Sequence, residues 1–178
     1  LEERGYRVLV LNYGDFIYQE LSERGLVKSR DELRKLSIRT QLHHQANAAK
    51  RMIEYAKTVF RECVGREVLL IDTHLFIKTP AGLWPGLPYH VLTELMPDMI
   101  VLVEADPSEI IERQRRDKTR YREDYADPRF VEELLELNRR EALVVATLTG
   151  SVVRVIRNEE GRAEEAARDL VESILALR

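Results

Sequence analysis

Four short apolar runs, Tyr6 to Leu11, Val68 to Ile71, Met99 to Val103 and Val152 to Ile156, are separated by longer stretches in which apolar residues recur every three or four positions. Runs of this length closed by polar turns are the pattern of buried strands, and the longer stretches are the pattern of helices packed on one face. The spacing predicts helices over Asp15 to Arg24 with Gly25 at the end, Tyr89 to Leu95, Arg129 to Leu148 and Glu160 to Leu177, and a helix opened by Asp106-Pro107. From Asp31 onward a long helix is expected, with an apolar stripe of Ile38, Leu42, Ala46, Ala49, Ile53, Ala56 and Phe60 laid on a sheet. Strands alternating with helices imply an α/β fold whose parallel sheet is covered on both faces, with ligands beyond the carboxyl ends of the strands. A chain of 178 residues, 44% hydrophobic and 33% charged, can bury one such core as a single domain.

Three loops are predicted to leave those carboxyl ends and to converge on one cleft. They are Asn12-Tyr13-Gly14-Asp15, Asp72-Thr73-His74 running on to Pro88, and Glu104-Ala105-Asp106-Pro107. The stretch from Lys78 to Pro88 holds three Pro and two Gly, so it is expected to be a loop, ordered or mobile, rather than a helix. A lone Asp after a strand is more often a helix cap than a catalytic group; the company of three such loops raises its interest.

Positive charge is local. The net charge is −3, against a general nucleic-acid binder, yet six of the ten residues from Arg113 to Arg122 are Arg or Lys. With the helix running through Lys118, Arg113 and Arg116 share a face and Arg115 points elsewhere. Guanidinium groups suit phosphate because each presents paired planar donors and keeps its charge at any working pH. Composition alone favours a plainer reading, a solvated helix face paired with Glu109, Glu112, Glu123 and Asp124, which is the usual fate of charge runs. Arg34-Lys35 and Arg139-Arg140, taken singly, also read as surface charge.

Several features carry little functional weight. Cys63 has no partner for an internal disulfide and reads as a small buried residue. His43-His44 lacks further ligands at metal spacing and reads as solvated or partly packed imidazoles, and Trp84 reads as packing. No apolar run reaches the length of a membrane span, and the first ten residues lack the pattern of a signal peptide, so a cytoplasmic protein is expected.

Taken together, Asn12-Tyr13-Gly14-Asp15-Phe16, Arg30 to Ser37 (RDELRKLS), Ile71-Asp72-Thr73-His74, Lys78 to Pro88 (KTPAGLWPGLP), Glu104-Ala105-Asp106-Pro107 and the Arg113 to Arg122 cluster resemble the archaeal adenylate kinases, P-loop nucleoside monophosphate kinases, in order and spacing over nearly the whole chain. The resemblance implies a three-layer P-loop kinase-like fold and a magnesium-dependent transfer of a phosphoryl group from ATP to AMP. It places Asp15 and Arg34 in the AMP region, about residues 12–64, with Arg34 and Lys78 on the AMP phosphate. Asp72 takes the position of the acidic residue that steadies Mg2+ through water. Arg113 resembles the arginine stacked on the ATP adenine, and Asn158 to Gly161 fall near that base. Arg116, Arg120, Arg122 and Arg139 resemble the cations around the moving phosphoryl group, with a short lid at about 120–128. Trimers are implied as well. A kinase for another monophosphate and a non-catalytic nucleotide- or RNA-binding module are the competing readings.

The sequence departs from the family in one respect: it has no Gly-x-x-x-x-Gly-Lys-[Ser/Thr] and no Gly-Lys pair. The resemblance implies a P-loop strand, loop and helix of roughly 25 residues ahead of Leu1, with that strand central in the sheet. The expectation is that the chain without this segment folds poorly and is inactive.

Overall fold

The computed structural model describes residues 1–61, 65–79, 81–116 and 127–177, apart from the side chains of residues 31 and 34. The chain divides into two compact units, Leu1–Met96 and Pro97–Arg178.

The first unit runs β1 (Arg7–Asn12), α1 (Tyr13–Glu23), a 3-10 turn (Arg30–Lys35), α2 (Ile38–Val59), β2 (Glu67–Asp72), β3 (Phe76–Thr79), β4 (Gly82–Pro85) and α3 (Tyr89–Leu95). Strands β1 and β2 are parallel, in register from Arg7 beside Glu67 to Asn12 beside Asp72. Both end at the same level, which sets Asn12 and Asp72 side by side. Helix α1 follows β1 without a linker because Asn12 caps it, its side chain accepting from the Asp15 N–H at 3.2 Å.

Helix α2 buries a face different from the expected stripe. The buried residues are His44, Gln45, Ala48, Ala49, Met52 and Ala56. Of the predicted stripe only Ala49 and Ala56 are among them, and Ile38 is 44% exposed. Small side chains at Ala48 and Ala49 allow close packing, and the polar residues on this face have partners. His44 Nδ1 lies 3.2 Å from Glu20 Oε1, and the buried Tyr13 hydroxyl donates to the Gln45 carbonyl at 2.7 Å. His44 is therefore a buried, paired imidazole rather than a solvated one, whereas His43 is exposed. Leu11, Tyr13, Ala48, Ala49, Met52, Ala56 and Val91 form the core, with Leu9, Leu69 and Ile71 of the strands packed against it, as a helix laid on a sheet requires.

The Pro/Gly-rich stretch is a β-hairpin, not a loop. Strands β3 and β4 are antiparallel, Phe76 opposite Pro85 and Lys78 opposite Leu83. The Thr79 hydroxyl donates to the Gly82 carbonyl at 2.8 Å and accepts from the Ala81 N–H at 3.2 Å, so a side chain closes the turn. Pro85 and Pro88 lie where no ladder bond is lost: Pro85 ends β4 and Pro88 precedes α3.

The second unit runs β5 (Met99–Glu104), α4 (Pro107–Arg116), α5 (Pro128–Thr149), β6 (Val152–Arg157) and α6 (Ala163–Leu175). Strands β5 and β6 are parallel, in register from Met99 beside Val152 to Glu104 beside Arg157. Leu102, Ile111, Val131, Ala142, Val145 and Ile156 are buried here. Asp106 accepts from the Ser108 N–H at 2.9 Å at the start of α4, and Asp127 accepts from the Arg129 N–H at 3.0 Å at the start of α5. The strand and helix alternation read from the sequence is present, with most element ends moved by no more than three residues; the long helix expected from Asp31 instead begins at Ile38, after the 3-10 turn. Among the described residues no helix is long and apolar enough to cross a membrane. Residues 120–126 of the expected lid and Cys63 lie outside the described residues.

Candidate active site

In the first unit the strand-end residues form one hydrogen-bonded chain. Asn12 Nδ2 donates to Asp72 Oδ2 at 2.6 Å, and Asn12 Oδ1 accepts from Arg30 Nη2 at 3.0 Å as well as from the helix N–H it caps. Arg30 Nη1 pairs with Asp15 Oδ1 at 2.9 Å. The approach of Arg30 requires Gly14, since a Cβ there would lie 2.5 Å from Arg30 Nη2. A single asparagine thus links the predicted magnesium-side carboxylate, the start of α1 and the turn that carries Arg34. Asp15 and Asp72 are brought together with Asn12 and Arg30. Lys78 sits on β3 and is half-buried. Arg34 lies on the 3-10 turn, and its side chain is outside the described set.

Among the described residues no group of three or more His, Cys, Asp or Glu side chains is placed to hold a metal ion. Asp72 is exposed, and Asn12 engages one of its oxygens, which gives the carboxylate a fixed direction.

In the second unit a buried carboxylate orients one arginine. Glu104, at the end of β5, is 3% exposed. It takes Arg139 Nε at 2.9 Å and Arg139 Nη2 at 2.5 Å, while the Arg139 side chain remains half-exposed. This fork-to-fork pair holds the guanidinium in one plane and raises its already high pKa, chiefly through the side-chain hydrogen bond to Glu104. Arg113 and Arg116 share a helix face as expected and both reach Glu160, Arg113 Nε at 3.0 Å and Arg116 Nη1 at 3.0 Å. Those bonds hold the Glu160 carboxyl below its ordinary range, Arg113 contributing most. The plainer pairing is also present, Arg113 with Glu109 at 3.1 Å and Arg116 with Glu112 at 2.8 Å. Asn158 contributes backbone: its N–H donates to the Glu104 carbonyl at 2.7 Å and its carbonyl accepts from Arg113 Nη2 at 2.8 Å. Arg120 and Arg122, and the partners Glu123 and Asp124, lie outside the described residues.

Sequence reasoning passed over Arg30 and the bracing role of Glu104. Only Glu104 left a signal, an ionisable residue closing an otherwise apolar strand run, which requires a partner once buried.

The first unit ends two parallel strands in a braced carboxylate, and the second, taken by itself, holds oriented guanidinium groups by its own strand ends; each is a feature suited to a nucleotide-handling α/β phosphotransferase. The family profile described as "AAA domain" matches residues 2–129. The chain is 43% identical over 175 residues to an adenylate kinase of Saccharolobus solfataricus, covering 98% of this chain and 88% of that protein. It is 44% identical over 167 residues to an adenylate kinase of Methanopyrus kandleri, 94% and 84% of the two chains. With an adenylate kinase of Methanocaldococcus jannaschii it shares 39% over 172 residues, 97% and 85%. The chain belongs to the adenylate kinase family, with the P-loop kinase fold.

Proposed function

We propose that this chain transfers a phosphoryl group reversibly from ATP to AMP, giving two ADP, in the cytoplasm and with Mg2+. The observation that carries the reading is the Asn12–Asp72 pair at the matched ends of two parallel strands, which presents an exposed, oriented carboxylate where such folds bind phosphates. Asp72 would hold the metal through water; Mg2+, when bound, supplies positive charge to the phosphate oxygens.

Phosphoryl transfer needs little covalent work from protein groups, so the chain's task is to align acceptor and donor and to spread positive charge over the moving group. Arg34 and Lys78 take the AMP phosphate, in a region begun by Asp15. Arg113 carries the donor base, with the turn at Asn158 beside it. Arg116, Arg120, Arg122 and Arg139 surround the phosphoryl group. Arg139 is aimed by Glu104 before any ligand arrives, so little reorganisation is left for the reaction itself. A lid at about 120–128 excludes water, which would otherwise compete with AMP as acceptor. A trimeric assembly belongs to the same proposal.

Two substitutions test the division of labour. Arg34→Ala is expected to raise KM for AMP by at least tenfold with a smaller change in kcat, and Arg120→Ala to lower kcat by about a hundredfold or more with little change in KM for AMP. Steady-state kinetics on both variants decide it, and equal losses in all parameters would remove the distinction. A panel of nucleoside monphosphates with ATP tests the acceptor: a preference for UMP or CMP over AMP would replace the proposed reaction by that of a related kinase.

A further inference from the structure

Arg113 is held by its rim. Its Nε donates to Glu160 Oε2 at 3.0 Å, and its Nη2 donates both to Glu109 Oε2 at 3.1 Å and to the Asn158 carbonyl at 2.8 Å. Guanidinium N–H groups lie in the plane of the group, so these bonds use the edge and leave the faces to stacking.

Glu109 is more than the helical neighbour of Arg113. The same Oε2 that takes the guanidinium accepts the backbone N–H of Glu160 at 3.1 Å. One carboxylate oxygen therefore joins the first turn of α4 to the turn that follows β6. An ordinary pair four residues apart on a helix contributes only about 0.3–0.5 kcal/mol. The second bond, to the backbone of another element, makes Glu109 a brace between two surfaces of the unit. Its side chain is about two-thirds removed from water, at 31% exposure.

We propose that Glu109 is a positioning residue for the donor base: it fixes the plane of Arg113 and the backbone of the turn at 158–161 as one preformed surface. The inference rests on the reading of Arg113 as the residue that carries that base. A long arginine side chain loses rotamer freedom on stacking, and bracing it in advance removes part of that cost from binding.

In the active enzyme, Glu109→Ala is expected to raise KM for ATP about three- to tenfold, leaving KM for AMP and kcat at saturation nearly unchanged. Glu109→Gln keeps an acceptor oxygen and should recover part of the loss. Inorganic tripolyphosphate has no base to stack, so its inhibition constant against ATP should not move in either variant. Where Glu109→Ala fails to fold, Glu109→Gln carries the comparison. An increase in KM for ATP with Arg113→Ala but not with the Glu109 variants would overturn the bracing role and leave the reading of Arg113 standing. No increase with either would remove that reading and this inference together. Equal weakening of ATP and tripolyphosphate by the Glu109 variants would show a general charge or folding effect and would also overturn it.

Discussion

Arg51→Met is expected to lower the free energy of unfolding by about 3 kcal/mol at neutral pH, more than Glu20→Gln does. Glu20, on α1, is 3% exposed and collects donors from both helices. Arg51 Nη1 reaches it at 2.9 Å, Arg24 Nε at 2.8 Å and His44 Nδ1 at 3.2 Å. Arg51 also binds Glu23, with Nη1 to Oε2 at 2.8 Å and Nη2 to Oε1 at 3.1 Å. Removing Arg51 leaves a buried carboxylate without its largest source of compensation. Removing the carboxylate charge instead leaves Arg24 half-exposed and Arg51 still paired with Glu23, so the residual charges are better solvated. The order of the two variants in chemical denaturation checks the argument. A larger loss for Glu20→Gln would mean that the cluster acts through net attraction rather than through the burial of one anion.

The pH dependence follows from the same cluster. Burial pushes the Glu20 carboxyl up, but hydrogen bonds from Arg51, His44 and Arg24 outweigh it and hold it at about 2, against an ordinary value of 4.5. A carboxyl whose folded pKa is lowered stabilises the fold fully above its unfolded value, and the contribution is lost as pH falls. The window is therefore 4.5 down to about 2, and the gap between those values corresponds to ~3 kcal/mol. In Arg51→Met the Glu20 carboxyl moves back up, so the stability difference between wild type and variant should be constant above pH 4.5 and shrink below it. A difference that stays constant down to pH 3 would assign the cost to lost packing of the Arg51 stem.

What the sequence made legible, and what it hid, divides along physical lines. Apolar runs and the three-and-four spacing report how backbone elements alternate, because burial acts on every residue of an element in turn. Strand ends were legible for the same reason, and with them Asn12, Asp72 and Glu104. The buried face of α2 was not. Its register is set by Ala48 and Ala49, which pack closely because they are small, and by His44 and Glu20, which are buried because they find each other across two helices. A scale that ranks Ile38 above these residues selects the wrong stripe. The hairpin was hidden because proline and glycine signal broken helix without saying whether two flanking segments will pair. Arg30 was hidden in a different way, since its place depends on the missing Cβ of a glycine sixteen residues before it.

Gly86→Ala is expected to destabilise the fold by about 2–4 kcal/mol and to raise KM for AMP, whereas Gly14→Ala should leave stability nearly unchanged and affect only the latter. A Cβ on Gly86 would stand 2.0 Å from the carbonyl oxygen and 2.9 Å from the carbonyl carbon of His74. Those are backbone atoms between β2 and the hairpin, and they can withdraw only by moving the chain. Withdrawal also strains the Gly86 N–H bond to the Leu75 carbonyl, 2.7 Å long, at the base of the hairpin that carries Lys78. On Gly14 the nearest obstacle is the tip of the Arg30 side chain, which can swing out at little cost to folding, and alanine is the better helix former at that position in α1. What Gly14→Ala removes is the Arg30 bond to Asn12 and with it the tie between the turn bearing Arg34 and the Asp72 strand end. Thermal unfolding separates the pair: a fall in Tm confined to Gly86→Ala, with raised KM for AMP in both, is the expected result. A comparable fall in Tm for Gly14→Ala would mean that Arg30 is held in place by more than its two hydrogen-bonding partners, and an unchanged Tm for Gly86→Ala would mean that the hairpin base yields without cost.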